Sequence, residues 1–361
     1  MHIMAYGGEK PVPFQKAIGQ SQILEPGIVG EFTNTAMAKV LNASDCNSTS
    51  VDSAATIDCL RMLSAEKLVQ LQTDTAGDSA NIGDEWLPVV DGDFLPTAPS
   101  QLLREGRFAA IPTIMGYTED DTSPFVEIDI DTDNDTTTFF RAYAPGMSEA
   151  NLKHLLSLYP VEDFAPSANL SAEHSRSSRI LRDILMVCEP LLYGRALAEK
   201  GQRVYYYAQN QTVVDAALDS LGLPGLGVVH TSEFAYMFNN ISHYDSEHLP
   251  IPARREALPA NKTTVYDYPY HPTPSDEQLA IRATRSWSTF ASIGRPSRDG
   301  HGTLEGWKSA FAVENQTRVF VIGSDEEGLH SLGGNSALGR EKIEERCAFI
   351  NSPEIVEQLQ F

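Results

Sequence analysis

Four short apolar runs, each bounded by turn residues, are spaced far apart along the chain: FQKAIGQS (14–21), AAIPTIMGYT (109–118), QRVYYYAQ (202–209) and TRVFVIGS (317–324). Their length and their β-branched and aromatic content mark the first three as buried strands and the last as a final strand. Between them lie helix-like stretches: SAEKLVQLQ (64–72), SEANLKHLLSLYP (148–160), SSRILRDILMVCEPLLYGRALAEKG (177–201) and SDEQLAIRATRSWSTFASIGRPS (275–297). The last opens with Ser275 as a cap, carries a glutamate in its first turn and stops at Gly294 and Pro296. Strands so far apart need crossover connections, which give a mainly parallel sheet flanked by helices and hence an α/β fold. The polar stretches 126–147 and 243–274 read as surface loops.

Composition narrows the function classes. At 361 residues and 42% hydrophobic, the chain can bury a large core. Its net charge of -22 argues against nucleic acid, whose phosphates demand an excess of Lys and Arg, and against anionic membranes. No apolar run approaches the roughly 18 residues of a transmembrane helix. The opening MHIMAYGGEKPVPF has no basic region followed by an apolar stretch, so it does not read as a signal peptide.

Two other features nevertheless belong to the secretory route. Asn42, Asn47, Asn134, Asn169, Asn210, Asn240, Asn261 and Asn315 each sit in an Asn-x-Ser/Thr acceptor without an intervening proline. Four cysteines make an even set, of which Cys46 and Cys59 enclose a short polar loop. A bridge there would contribute about 3 kcal/mol, and one between Cys188 and Cys347 about 5 kcal/mol. Reduced, buried cysteines are the alternative. Acceptors and cysteines together point to an extracellular protein whose targeting segment is not among these residues.

In a parallel sheet, chemistry gathers at the carboxyl ends of the strands. Glu119, Asp120 and Asp121 follow one strand there, and Asp325, Glu326 and Glu327 follow another in the same way. GLGVVHTSEFAYMF (225–238) places His230 on a loop just before a helical stretch, a common way to present a general base. A carboxylate and a histidine are two members of a nucleophilic triad. The third is missing: there is no G-x-S-x-G, the nearest approach being GNSAL at 334–338, and no HGGG-type stretch for an oxyanion hole. HExxH, Cys-x-x-Cys and G-x-G-x-x-G are also absent, so neither a metal nor a dinucleotide is indicated and no cofactor is expected. His243 and His248 flank YDSE and read as surface residues.

These motifs, in this order, resemble the type B carboxylesterases, a family on the α/β-hydrolase fold that includes the cholinesterases and extracellular fungal lipases. PFQKAIGQS is similar to the strand after the family's nucleophile helix, and CLRMLSAEKL to the second cysteine of its short loop. WLPVVDGDFLPTAPSQLLREGRF (86–108) resembles the family's Pro-Val-Val-Asp-Gly core with its leucine-rich helix. IPTIMGYTEDDTSPF is similar to the acid loop, GVVHTSEFAYMF to the histidine loop, and SWSTFASIGRPS and RCAFINS to segments near the family's end.

The resemblance covers nearly the whole chain and implies one domain over residues 1–361, with the cysteine pairs matching family disulfides. It implies a carboxylic ester hydrolase acting on small-molecule or lipid esters, with His230 as general base and Asp121 as orienting acid. Where the family has Asp-Glu-Gly, this chain has Asp120, Asp121 and Thr122, which leaves Glu119 and Asp120 as competitors for the ring. The segment resembling HIMAYGG lies just beyond the family's nucleophile turn. The N-terminal part of the fold, with serine and oxyanion loop, is therefore expected upstream, and the 361 residues alone are expected not to hydrolyse esters through a triad. The competing expectations are a non-catalytic cholinesterase-like binding or adhesion protein, and an inactive fragment.

Overall fold

The four runs read as strands pair with one another in sequence order. In the computed structural model, which describes residues 1–46, 50–51, 53–76, 86–245, 271–313 and 316–361, they are β1 (Ala17–Gln20), β2 (Thr113–Thr118), β3 (Val204–Gln209) and β4 (Arg318–Ile322). A fifth strand, β5 (Gly328–Ser331), adds to the edge. The order is β1-β2-β3-β4-β5, with β1 to β4 parallel and β5 antiparallel to β4. β5 is legible only in three dimensions, because GLHS is short, half-buried throughout and carries no apolar alternation.

Both faces of the sheet are covered at β2 and β3, which is why these strands are buried at every position, whereas β1, expected to be buried, lies at the sheet edge and is half-buried, with Ile18 exposed. On one face Met115, Tyr117, Val204, Tyr206 and Val321 pack with Ile180, Leu181, Ile184 and Leu197 from the 172–199 helical stretch and with Ile343 and Ile350 near the carboxyl end. On the other, Ile114, Tyr205, Tyr207, Phe320 and Ile322 meet Leu279, Ala283, Trp287 and Phe290 of the helix Pro274–Ile293. The alternation along VYYYAQ thus sends Tyr205 and Tyr207 to one layer and Tyr206 to the other. Gly116 of β2 lies opposite Tyr207 in register, and a methyl group there would fall 2.1 Å from the tyrosine ring.

Two local expectations are corrected. The cap of the long helix is Thr273, not Ser275: its hydroxyl accepts from Asp276 N, and the Asp276 carboxylate returns to Thr273 N. Pro274 takes the first helical position, where its missing N–H costs nothing, and this moves the start two residues upstream. The stretch 126–147 is not all loop, since Asp133–Tyr143 is a helix with a capping box between Thr132 and Asp135. It forms because Thr136, Phe140 and Tyr143 are buried together on one side of an otherwise polar sequence. Of the stretch 243–274, residues 246–270 lie outside the described residues.

The 177–201 stretch is continuous but not uniform. An α-helix, Ala172–Arg182, passes into a fully buried π-helical segment, Asp183–Cys188, and then into Glu189–Glu199. Pro190 cannot donate to the ladder one turn back, and the wider π turn before it accommodates the ring. Cys188 at that junction is bonded to Cys347 of the helix Ile343–Ile350, with Cα atoms 4.9 Å apart, and Cys46 is bonded to Cys59. No helix among the described residues is long and apolar enough to cross a membrane.

Candidate active site

Because β2 and β3 are parallel neighbours, the loops leaving their carboxyl ends emerge side by side. The first carries Glu119, Asp120 and Asp121, and the second returns as GLGVVH. They are stitched together by Asp120, whose N–H donates to Val228 O and whose carboxylate accepts from Val228 N, both at 3.0 Å. Gly227 makes this approach possible: its φ is +77°, and a Cβ there would stand 2.1 Å from Asp120 Oδ2. The stitching delivers His230 onto Asp121.

His230 Nδ1 lies 2.6 Å from Asp121 Oδ1. The other carboxylate oxygen, Oδ2, accepts from the Ser21 hydroxyl at 2.7 Å and from Thr118 N at 2.8 Å. Asp121 is fully buried while a third of the His230 side chain remains exposed. Each oxygen of the acid therefore has a fixed task, and the arrangement orients the ring with Nδ1 on the acid and Nε2 free of partners among the described residues. The hydrogen bond that His230 donates to Asp121 raises the His230 pKa above its ordinary 6.5, with burial opposing and the charges of Asp121 and Glu233 adding to it. Phe125 packs edge-on against the ring, centroids 5.5 Å apart. Thr231 next in line has φ +70°, an uncommon conformation for a β-branched residue that marks a tightly constrained turn.

The neighbouring acids are occupied elsewhere. Glu119 pairs with Arg179 at 2.8 Å and Arg182 at 3.4 Å, and burial pushes its carboxyl up to about 7 against the pull of Arg179. Arg182, fully buried, also donates to Glu119 O, Asp183 and Glu341, so it clamps the root of the acid loop to two helices. Thr122 closes the loop by donating to Ser178 O at 2.6 Å. Of the three consecutive acids, Asp121 alone meets the ring.

Two residues in this arrangement went unread in the sequence. Ser21 carried no signal except its place at the carboxyl end of β1. Glu233, in the same loop as His230, is 1% exposed. Its Oε1 accepts from Tyr207 OH at 3.1 Å and Gln20 Nε2 at 3.3 Å, while Oε2 is buried without a partner among the described residues. Burial and the nearby Asp121 raise its pKa, so it holds a proton more readily than an ordinary carboxyl. Its spacing of three from His230 was the only available hint.

The model of the Carboxylesterase family matches residues 9–349. The chain belongs to that family. It is 42% identical over its whole length to a secreted lipase of Arthroderma benhamiae, and 29% identical over 97% of its length to an inactive carboxylesterase-like protein of Byssochlamys spectabilis. It spans 61% and 59% of the lengths of those two relatives. Among solved structures, Aspergillus niger EstA superposes on all of the chain with a TM-score of 0.72 at 17% identity, 62% of that chain being covered. A PNB esterase covers 92% of the chain, and 57% of its own, with a TM-score of 0.61 at 18% identity. The fold is that of the α/β-hydrolases.

The remaining residues singled out in the sequence lie elsewhere. Glu327 forms a two-pronged pair with Arg282, and Glu326 pairs with Arg340, so the second acidic turn is not brought to the histidine. Ser336 of GNSAL caps the short helix Ala337–Arg340. Asn42, Asn134, Asn169 and Asn240 are exposed and Asn210 is half-buried, while Asn47, Asn261 and Asn315 lie outside the described residues, as does His248. His243 is exposed. Among the described residues no group of three or more His, Cys, Asp or Glu is placed to hold a metal ion.

Proposed function

We propose that this protein is a secreted carboxylic ester hydrolase in which His230 is the general base and Asp121 the acid that orients it. The observation that carries the reading is the 2.6 Å contact between His230 Nδ1 and Asp121 Oδ1, with Oδ2 held by Ser21 and Thr118. With Nδ1 held on the acid, Nε2 is the atom that takes the proton from an attacking hydroxyl and returns it to the leaving alcohol. Asp121 stabilises the imidazolium formed in between. The nucleophile is a serine of an upstream G-x-S-x-G turn, a motif the 361 residues do not contain, and the reaction proceeds through an acyl-enzyme without a cofactor.

The substrate is a small-molecule or lipid ester, as the secreted lipase relative suggests. Export fits that relative, the two disulfides and the Asn-x-Ser/Thr acceptors, of which Asn42, Asn134, Asn169 and Asn240 are accessible to glycosylation. The reading is tested on protein expressed with its upstream segment, by turnover of a short-chain nitrophenyl ester. His230→Ala and Asp121→Asn are each expected to lower kcat roughly 10⁴-fold, with KM little changed. Wild-type turnover in either variant would remove these residues from the mechanism.

A second reading, a non-catalytic binding protein, is favoured by the relative described as inactive. The residue at the centre of the upstream turn separates the two, since only a nucleophilic side chain there supports hydrolysis.

A further inference from the structure

The chain has 27 Lys and Arg against 49 Asp and Glu, yet at the amino ends of the strands five cations gather. Arg295, Arg298 and Lys308 line a pocket of about 580 Å³ together with Ile293 and Trp307. Arg203, just before β3, and Lys16, just before β1, flank it at Gly294. Arg203 Nη2 lies 3.0 Å, and Lys16 Cε 3.4 Å, from where a Cβ on that glycine would stand. Among the described residues, no carboxylate comes within 4.0 Å of any of these five cationic groups.

Cations beyond a helix C-terminus often serve its free carbonyls. Here Gly294, in the left-handed conformation, closes the helix Pro274–Ile293 by donating to Phe290 O. Neither the Arg295 nor the Arg298 guanidinium donates a hydrogen bond to a described residue. Like charges held together in an acidic protein, without a local partner, favour a bound anion. Asp299 is the carboxylate of the lining, so three cations against one acid leave two positive charges. That is the charge a phosphate monoester carries above about pH 6, and guanidinium groups match its oxygens with paired N–H donors. Trp307 is fixed by donating its Nε1–H to Tyr206 O at 3.0 Å, which gives the apolar side of the pocket a rigid ring.

We propose that this pocket binds a phosphate monoester, its phosphoryl group between Arg295, Arg298 and Lys308 and its organic part against Ile293 and Trp307. The strands separate it from His230 by roughly 20 Å, so the ligand does not touch the proposed catalytic groups. The site is independent of the hydrolase reading.

The experiment is calorimetric titration of the purified protein with phenyl phosphate at about 50 mM salt, where exposed charges are weakly screened. Saturable one-to-one binding is expected, displaced by inorganic phosphate and weakened roughly tenfold or more in Arg295→Ala/Arg298→Ala. Because both arginines are exposed, the variant should melt as the wild type does, and its circular dichroism melt is the control for folding. Sedimentation with vesicles of phosphatidylcholine, with and without phosphatidic acid, separates the sources. Recruitment that needs phosphatidic acid and is lost in the double variant assigns the phosphoryl group to a lipid, whereas calorimetric binding without recruitment assigns it to a soluble compound. Absence of saturable binding in both assays, or equal affinity in a folded double variant, overturns the proposal.

Discussion

His230 and Asp121 are 109 positions apart in the chain, and their contact has a measurable electrical consequence. The hydrogen bond donated to Asp121 holds the imidazole pKa above its ordinary value, so the neutral base is lost as pH falls through that raised value. Asp121→Asn removes the largest cause and leaves burial, which acts the other way. NMR titration of the ring should therefore show a lower pKa in the variant; an unchanged value would mean that the carboxylate does not control the ring. The sign for stability follows. A histidine whose folded pKa is raised stabilises fully below its unfolded value, and that contribution disappears as pH rises through the folded pKa. Gly227 is the second sensitive residue. Gly227→Ala forces a side chain into the left-handed region, at about 1–2 kcal/mol, and drives a methyl into Asp120, so a larger loss is expected in urea unfolding. A change below about 0.5 kcal/mol would show that the two loops are not held together there.

At the scale of elements, pattern and packing speak with different reliability. β2 to β4 were legible because buried strands in a parallel sheet are continuous apolar runs, whereas β1, at the sheet edge, is half-buried to exposed and was marked mainly by the turn residues that bound it. The helix Asp133–Tyr143 was not, because its apolar residues are few and its polar ones dominate the local composition. The start of the helix Pro274–Ile293 turned on a choice between Thr273 and Ser275, which the reciprocal bonds of Thr273 and Asp276 settle. Thr273→Ala should therefore cost about 1 kcal/mol, and Ser275→Ala almost nothing, in thermal or urea unfolding. The reverse order would return the cap to Ser275.

For the whole molecule, the two disulfides differ most in how much chain they constrain. Cys188–Cys347 closes a separation of 159 residues and Cys46–Cys59 one of 13. On the loop-entropy account the first contributes about 5 kcal/mol and the second about 3 kcal/mol. Paired replacement by alanine, one bridge at a time, should reproduce that order in the unfolding midpoint. Equal losses would mean that the long loop is already restricted in the unfolded chain.

The sequence by itself determined the α/β class, four of the five strands and their order of appearance, the family resemblance and the histidine loop. It could do so because burial leaves a local record in the periodicity and length of apolar runs, and because turn residues mark where those runs end. Only the family resemblance singled out Asp121 among Glu119, Asp120 and Asp121, because the three have similar chemistry and adjacent places. Only tertiary structure decided that Asp120 staples two loops, that Glu119 faces Arg179 and Arg182, and that Asp121 meets His230. It also put Ser21 behind the acid, buried Glu233 nearby and collected Lys16, Arg203 and Arg295 at the opposite end of the sheet. The physical reason is that a side chain's partners in a parallel sheet are brought by crossover connections from distant segments, and no local pattern records which polar group stands across the gap.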